Sequence, residues 1–243
     1  MVKIPEKPEY IFQEFTSDFL SVFGPDLISI ILYGSGARND YVPGKSDINF
    51  LIVLSEQGID NLGSVFGVLP KWRKRRVALP LVMTKAFINS SLDCYPVEFL
   101  NMKRCYVLVF GEDVLKDLTF DKPALRLQVE RELKGKLLLL RTRYLETEGK
   151  SRRVEDLIKE SVTAFIAIFN ALLYLRDVEV PLGRGEVVKA VAKAFAAETG
   201  TLLQCVDIKE GRSRLAAAEA ERVFQGYAKE LALLTDLVDK IKV

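Results

Sequence analysis

The sequence contains no histidine among its 243 residues. That absence excludes a Ser-His-Asp triad, histidine-bound zinc and a histidine general base. Cysteine is scarce. Cys94, Cys105 and Cys205 are odd in number and form no CxxC pair. A disulfide framework and a zinc ribbon are both disfavoured, the thiols read as small buried hydrophobes, and a reducing cytoplasm is the natural home. Excess charge is also missing. Lys plus Arg number 35 against 33 Asp plus Glu, a formal net charge of +2. So weak an excess points to no polyanionic partner and makes nucleic acid an unpromising one. No apolar run reaches the ~18 residues that span a bilayer, so no membrane association is expected. The longest, residues 162–175, is interrupted by Thr163, Asn170 and Tyr174 and reads as a buried bundle helix. The first ten residues are charged, carry Pro5 and Pro8, and lack the apolar core of a signal peptide. There is no repeat at a fixed period and no low-complexity tract.

What is present changes character near Lys122-Pro123. Before that point short β-rich segments alternate with short helical ones. Residues 8–23 space their apolar positions as a helix, ended by Gly24-Pro25. Residues 27–33 (LISIILY) form a buried strand broken by Gly34-Ser35-Gly36, and residues 47–54 (DINFLIVL) a second. Residues 59–76 read as a helix with a basic end. Further strands are expected at 79–83, 95–102 and 105–110, the last ending at Gly111. After Lys122 the pattern is helical at 125–145, 154–176, 186–197 (closed by Gly200) and 214–243. The expectation is an α/β (α+β) domain with a mixed sheet over residues 1–120, followed by an all-α helical bundle over residues 121–243.

The chemistry gathers in residues 31–54. A buried strand runs straight into Gly34-Ser35. Glycine lets the backbone turn tightly and approach a ligand, while a serine hydroxyl and free amides can hold phosphate oxygens. On the next strand Asp47 and Asn49 lie two apart, so they share a face while Ile48 and Phe50 face the core. Two polar side chains at the start of an apolar strand fit oxygen ligation of a hard cation such as Mg²⁺. Glu98, between Val97 and Phe99, supplies a further oxygen donor. Were its segment a strand beside Asp47, the two carboxylates would meet across the ladder, with a divalent ion relieving their repulsion. Asp93 is an alternative third acid, and an ion pair with a bundle cation is the bland reading of Glu98.

Strand, Gly34-Ser35, turn, Ser46-Asp47-Ile48-Asn49, later Glu98: this order resembles the DNA polymerase β-type nucleotidyltransferase superfamily. The text LYGSGARNDY and KSDINFLIV resembles its bacterial small-molecule branch, which includes aminoglycoside nucleotidyltransferases. LDCYPVEFLNM and VLVFGEDVL are similar to uncharacterised bacterial members, which often carry a C-terminal helical bundle. The resemblance implies a nucleotidyltransferase fold. It also implies a Mg²⁺ (or Mn²⁺) nucleoside triphosphate as substrate, ATP on family grounds, and transfer of a nucleoside monophosphate to a hydroxyl of a small molecule or protein with release of pyrophosphate. By the same resemblance Asp47 ligates metal and Glu98 ligates a second ion or acts as general base. Gly34 and Ser35 hold the β- and γ-phosphates, and Arg38, Lys45 and Ser46 line the triphosphate side of the turn.

One departure matters. Asn49 stands where the family pattern has a second Asp. An amide oxygen can ligate Mg²⁺ but brings no charge, so a two-metal cluster loses one of its three anions. Impaired catalysis with surviving nucleotide binding is the expectation. A catalytically inactive nucleotide-binding or regulatory module, or a scaffold whose bundle binds a partner, is the alternative. The run Lys71-Trp-Arg-Lys-Arg-Arg76 reads either as a solvated helix end or as a set of phosphate contacts. Without histidine, the ribonuclease role of nucleotidyltransferase-partnered toxins is excluded. The acceptor, the base preference and the oligomeric state, a homodimer included, stay open.

Overall fold

The computed structural model describes residues 4–38 and 40–241. They divide into two compact units. The first takes in the chain to Leu92 together with Glu98–Thr119; the second takes in Asp93–Val97 and the chain from Phe120 onward.

The first unit opens with a 3-10 turn and α1 (Phe12–Phe23), followed by β1 (Leu27–Tyr33) and β2 (Asn49–Leu54). Then come α2 (Glu56–Asp60), α3 (Leu69–Arg73), β3 (Leu81–Thr84), α4 (Lys85–Ser90), α5 (Pro96–Arg104, in this unit from Glu98 onward) and β4 (Tyr106–Gly111). The sheet is mixed, in the order β3-β2-β1-β4. β1 pairs antiparallel with both β2 and β4, while β2 pairs parallel with β3. The central strands are continuous apolar runs because both are buried: Ile30, Ile31, Leu32 and Phe50 through Leu54 are all inaccessible. Phe15, Phe19 and Phe23, four apart on α1, form one apolar face over the sheet. Phe15 stacks on Phe50 at 4.2 Å and meets Trp72 edge-on at 5.0 Å. The Trp72 indole N–H donates to Asp18 at 3.0 Å, so a fully buried Trp keeps its polar atom satisfied.

Two expectations are corrected here. Residues 95–102 are not a strand: Pro96–Arg104 is a helix, and the sheet has four strands among the described residues. The signals for a helix were present. Pro96 occupies its first position, Glu98 its first turn, and Lys103 and Arg104 its last, as backbone sterics and the helix dipole favour. The expected helix over 59–76 is interrupted, with a 3-10 segment Leu62–Gly67 between α2 and α3. It carries Gly63 and Gly67, and Pro70 opens the next helix.

The second unit consists of α6 (Lys122–Glu146), α7 (Ser151–Leu175), α8 (Arg184–Phe195), α9 (Gly200–Lys209) and α10 (Ala220–Asp239). α6 begins where Asp121 accepts a hydrogen bond from the Ala124 amide at 2.9 Å, with Pro123 in the first turn. Segment 93–97 is tied to this unit by the Val97 amide, which donates to the buried Gln128 side chain at 2.8 Å. α7 is central and packs on the other four helices. It is the one helix among the described residues long and apolar enough to cross a bilayer, and Phe165, Ile168, Phe169, Leu172 and Leu173 are buried within the unit. α9 went unread in the sequence because Gly200 looked like a helix stop. The stop is Ala196, in the left-handed conformation, and Gly200 begins α9.

Candidate functional site

The candidate site is built where β1 ends and β2 begins, within the first unit. Tyr33 pairs with Asn49 across the antiparallel ladder, so the chain leaving β1 turns directly above the start of β2. Gly34 makes that turn at φ +77°, a region open to glycine at little cost. A Cβ on Gly34 would also stand 3.2 Å from the Asn49 side-chain amide nitrogen, so the missing side chain leaves room for that amide. Residues 34–38 form the turn, braced by the Asp40 amide donating to the Ser35 carbonyl at 3.0 Å. Arg38 lies 3.6 Å from Asp40.

Asp47 sits just before β2, exposed. Asn49, half-buried, opens the strand and donates its amide to the Asp47 carbonyl at 3.4 Å, a weak bond. Ser46 is part of the same turn, its hydroxyl accepting from the Val42 amide at 3.0 Å, and Lys45 is exposed beside it. The structure therefore places Gly34 beside Asn49, with Asp47, Ser46 and Lys45 on the segment that leads into β2. Glu98 occupies the first turn of α5, exposed. The cross-ladder meeting of Asp47 and Glu98 does not exist, because Glu98 belongs to no strand.

Sequence reasoning missed two cations. Arg76 places its guanidinium 2.9 Å from the Asp47 carboxylate, and the same Nη2 donates to the Lys45 carbonyl at 3.1 Å. A parallel bridge fixes this. Ile48 and Val77 pair, the Ile48 amide donates to the Arg76 carbonyl at 2.9 Å, and the Ala78 amide donates to the Ile48 carbonyl at 3.0 Å. Arg76 is also the left-handed residue of a helix C-terminal motif, at φ +61°. Its amide donates to the Arg73 carbonyl and the Val77 amide to the Trp72 carbonyl, both at 3.1 Å. Glycine is the usual occupant of that position, and another residue there costs on the order of 1 kcal/mol or more. The half-exposed ion pair returns no more than about 0–1 kcal/mol, so local stability does not account for an arginine at this place. The only sequence signal was the basic run that Arg76 ends.

Arg104, the last residue of α5, is the second. It lies close enough to Arg38 for their charges to interact, and burial, then the Arg38 charge, lowers its pKa below the ordinary arginine value. The neighbouring Cys105 thiol donates to the Ala37 carbonyl at 3.2 Å, tying this segment to the turn. Burial raises the Cys105 pKa, with Arg38 and Arg104 pulling the other way. The turn after β1 thus carries positive charge from Arg38 and Arg104, with Arg76 beside Asp47.

The donor set does not fit a two-metal carboxylate cluster. Asn49 is neutral, the Asp47 carboxylate is engaged by Arg76, and among the described residues no three His, Cys, Asp or Glu side chains gather as a metal site.

No protein-family model matches the chain, and no curated protein matches it in sequence. In three dimensions it is similar to spectinomycin adenyltransferase AAD(9) from Enterococcus faecialis, a structure solved with ATP and spectinomycin. The TM-score is 0.55 with 12% sequence identity, covering 95% of this chain and 99% of that one. At that identity the likeness is one of fold: a mixed α/β domain and a helical part.

Proposed function

We propose that this chain is a nucleotidyltransferase-like protein that binds a nucleoside triphosphate, ATP by default, at the turn after β1, and whose transfer of a nucleoside monophosphate to an acceptor hydroxyl is impaired by Asn49. The observation that carries this reading is the close approach of Gly34 to the Asn49 side chain, with Asp47 just before the strand, Arg38 and Arg104 at the turn and Arg76 beside Asp47. Backbone that a ligand can approach, flanked by guanidinium groups, suits a triphosphate. The fold shared with an adenyltransferase crystallised with ATP and spectinomycin supports both the nucleotide and a small-molecule acceptor.

Gly34 and Ser35 would contact the β- and γ-phosphates, and Arg38, Lys45 and Ser46 would flank them. In the transfer step an acceptor hydroxyl oxygen bonds to the α-phosphorus. The bond from that phosphorus to the bridging oxygen breaks in line, and pyrophosphate leaves with the electron pair. Glu98 is the proposed base that takes the hydroxyl proton. Three cysteines without a pairing motif suit a reducing cytoplasm.

A second reading, a regulatory nucleotide-binding protein without transfer, is favoured by one observation: the Asp47 carboxylate is neutralised by Arg76. Thermal stability with each nucleoside triphosphate in excess Mg²⁺, followed by pyrophosphate release across a panel of hydroxyl acceptors, separates the two. A nucleotide-dependent rise in melting temperature is expected under both, since a ligand that binds the folded state stabilises it. Pyrophosphate release with any acceptor selects the enzyme. No rise with any nucleotide rejects both and leaves a scaffold.

A further inference from the structure

We propose that Arg76 is the resident counter-cation of Asp47, standing where a nucleotidyltransferase would use a divalent ion, and that the protein therefore binds nucleoside triphosphate without metal. The inference rests on the nucleotide reading above and deepens it.

Three observations carry it. First, the acid that should recruit metal already has a cation. The Arg76 guanidinium is 2.9 Å from Asp47, and its Nη2 is also held by the Lys45 carbonyl. Second, this placement is built into the backbone. The bridge between Ile48 and Val77 sets Arg76 beside the Asp47–Asn49 segment, so the guanidinium is delivered by the same hydrogen bonds that start β2. Third, the arginine is kept at a left-handed position where glycine would be relaxed. An outlier held against its own conformational preference points to a role for the side chain. The chemistry is consistent throughout. Asn49 removes one negative charge from the expected acid set and Arg76 cancels another, so the local field no longer repels a triphosphate. The guanidinium is not sealed off either: the Arg76 side chain is 37% exposed, and planar guanidinium groups pair well with phosphate oxygens.

The test measures ATP affinity of the full chain by calorimetry, once with excess EDTA and once with excess Mg²⁺. It is repeated for Arg76→Gly and Arg76→Lys, with the ligand-free melting temperature of each. The proposal expects wild-type dissociation constants within about threefold of one another in the two buffers. It expects Arg76→Gly to weaken ATP binding in EDTA by about tenfold while its ligand-free melting temperature holds or rises, because glycine relaxes the turn. Arg76→Lys, with the same backbone strain and a point charge, should recover part of the loss. Binding that appears only with Mg²⁺, or Arg76→Gly binding as wild type in EDTA, overturns the inference and leaves the nucleotide reading standing. No ATP binding in either buffer overturns the nucleotide reading itself.

Discussion

The amide of Asn49 lies 3.2 Å from the point where a Cβ on Gly34 would stand. Gly34→Ala therefore meets two costs, a left-handed backbone at φ +77° and a displaced Asn49. The backbone term alone is roughly 1–2 kcal/mol. The expected outcome is a lower urea midpoint with an unchanged slope and an ATP dissociation constant raised about tenfold or more. An unchanged affinity in a folded variant would remove this turn from the binding site.

Asn49→Asp restores the missing carboxylate next to Asp47. If ATP binds here without metal, as proposed, this change should create Mg²⁺ dependence. Pyrophosphate release should rise with Mg²⁺ in the variant, and the melting temperature of the ATP complex should become Mg²⁺-sensitive. If neither changes, Asn49 is not the residue that limits transfer.

Glu98 is exposed in the first turn of α5. As a helix-terminal acid alone, its replacement by Gln would cost about 0.3–1 kcal/mol. As a general base, the same change would lower transfer by roughly 10²–10⁴-fold. Residual turnover and unfolding free energy measured on one Glu98→Gln preparation distinguish the roles: a large kinetic loss with a small stability change is expected.

Acid sensitivity of the first unit should involve Glu14. Its carboxylate is 2.8 Å from Lys71 and 2.5 Å from Arg75, and these hydrogen bonds, Lys71 first, lower its folded pKa below the ordinary 4.5. A depressed folded pKa contributes stability that is fully present above the unfolded value. That contribution fades as pH falls below about 4.5 and through the lower folded value. Glu14→Gln should therefore lose less stability than wild type between pH 5 and acid, as followed by denaturation midpoints at each pH. The pair is solvent-exposed, so the difference should shrink in high salt.

Much of the first unit could be read from residue patterns. β1 falls at the expected residues 27–33, and β2 keeps the expected apolar run after two polar positions. Both are long, buried and β-branched, which makes the period unambiguous. The α5 segment failed because Val97, Phe99, Leu100 and Met102 are all buried, a spacing that fits neither period cleanly. Pro96 at the helix start was the better cue. Within the site, Gly34, Asp47 and Asn49 were legible because they lie at the facing ends of two adjacent strands, Gly34 just after β1 and Asp47 just before β2. Arg76 was not, because its place beside Asp47 depends on a parallel bridge between distant segments, and no local pattern encodes such pairing.

Trp72 is the only tryptophan in the chain, and it is buried against Phe15 in the first unit. Indole emission is therefore a private optical channel for the α/β unit, while far-ultraviolet ellipticity is weighted toward the long helices of the second. Denaturation followed in both channels at once would show whether the two units melt as one cooperative body or in sequence. It would also let nucleotide stabilisation be assigned to the unit that carries the site without cutting the chain.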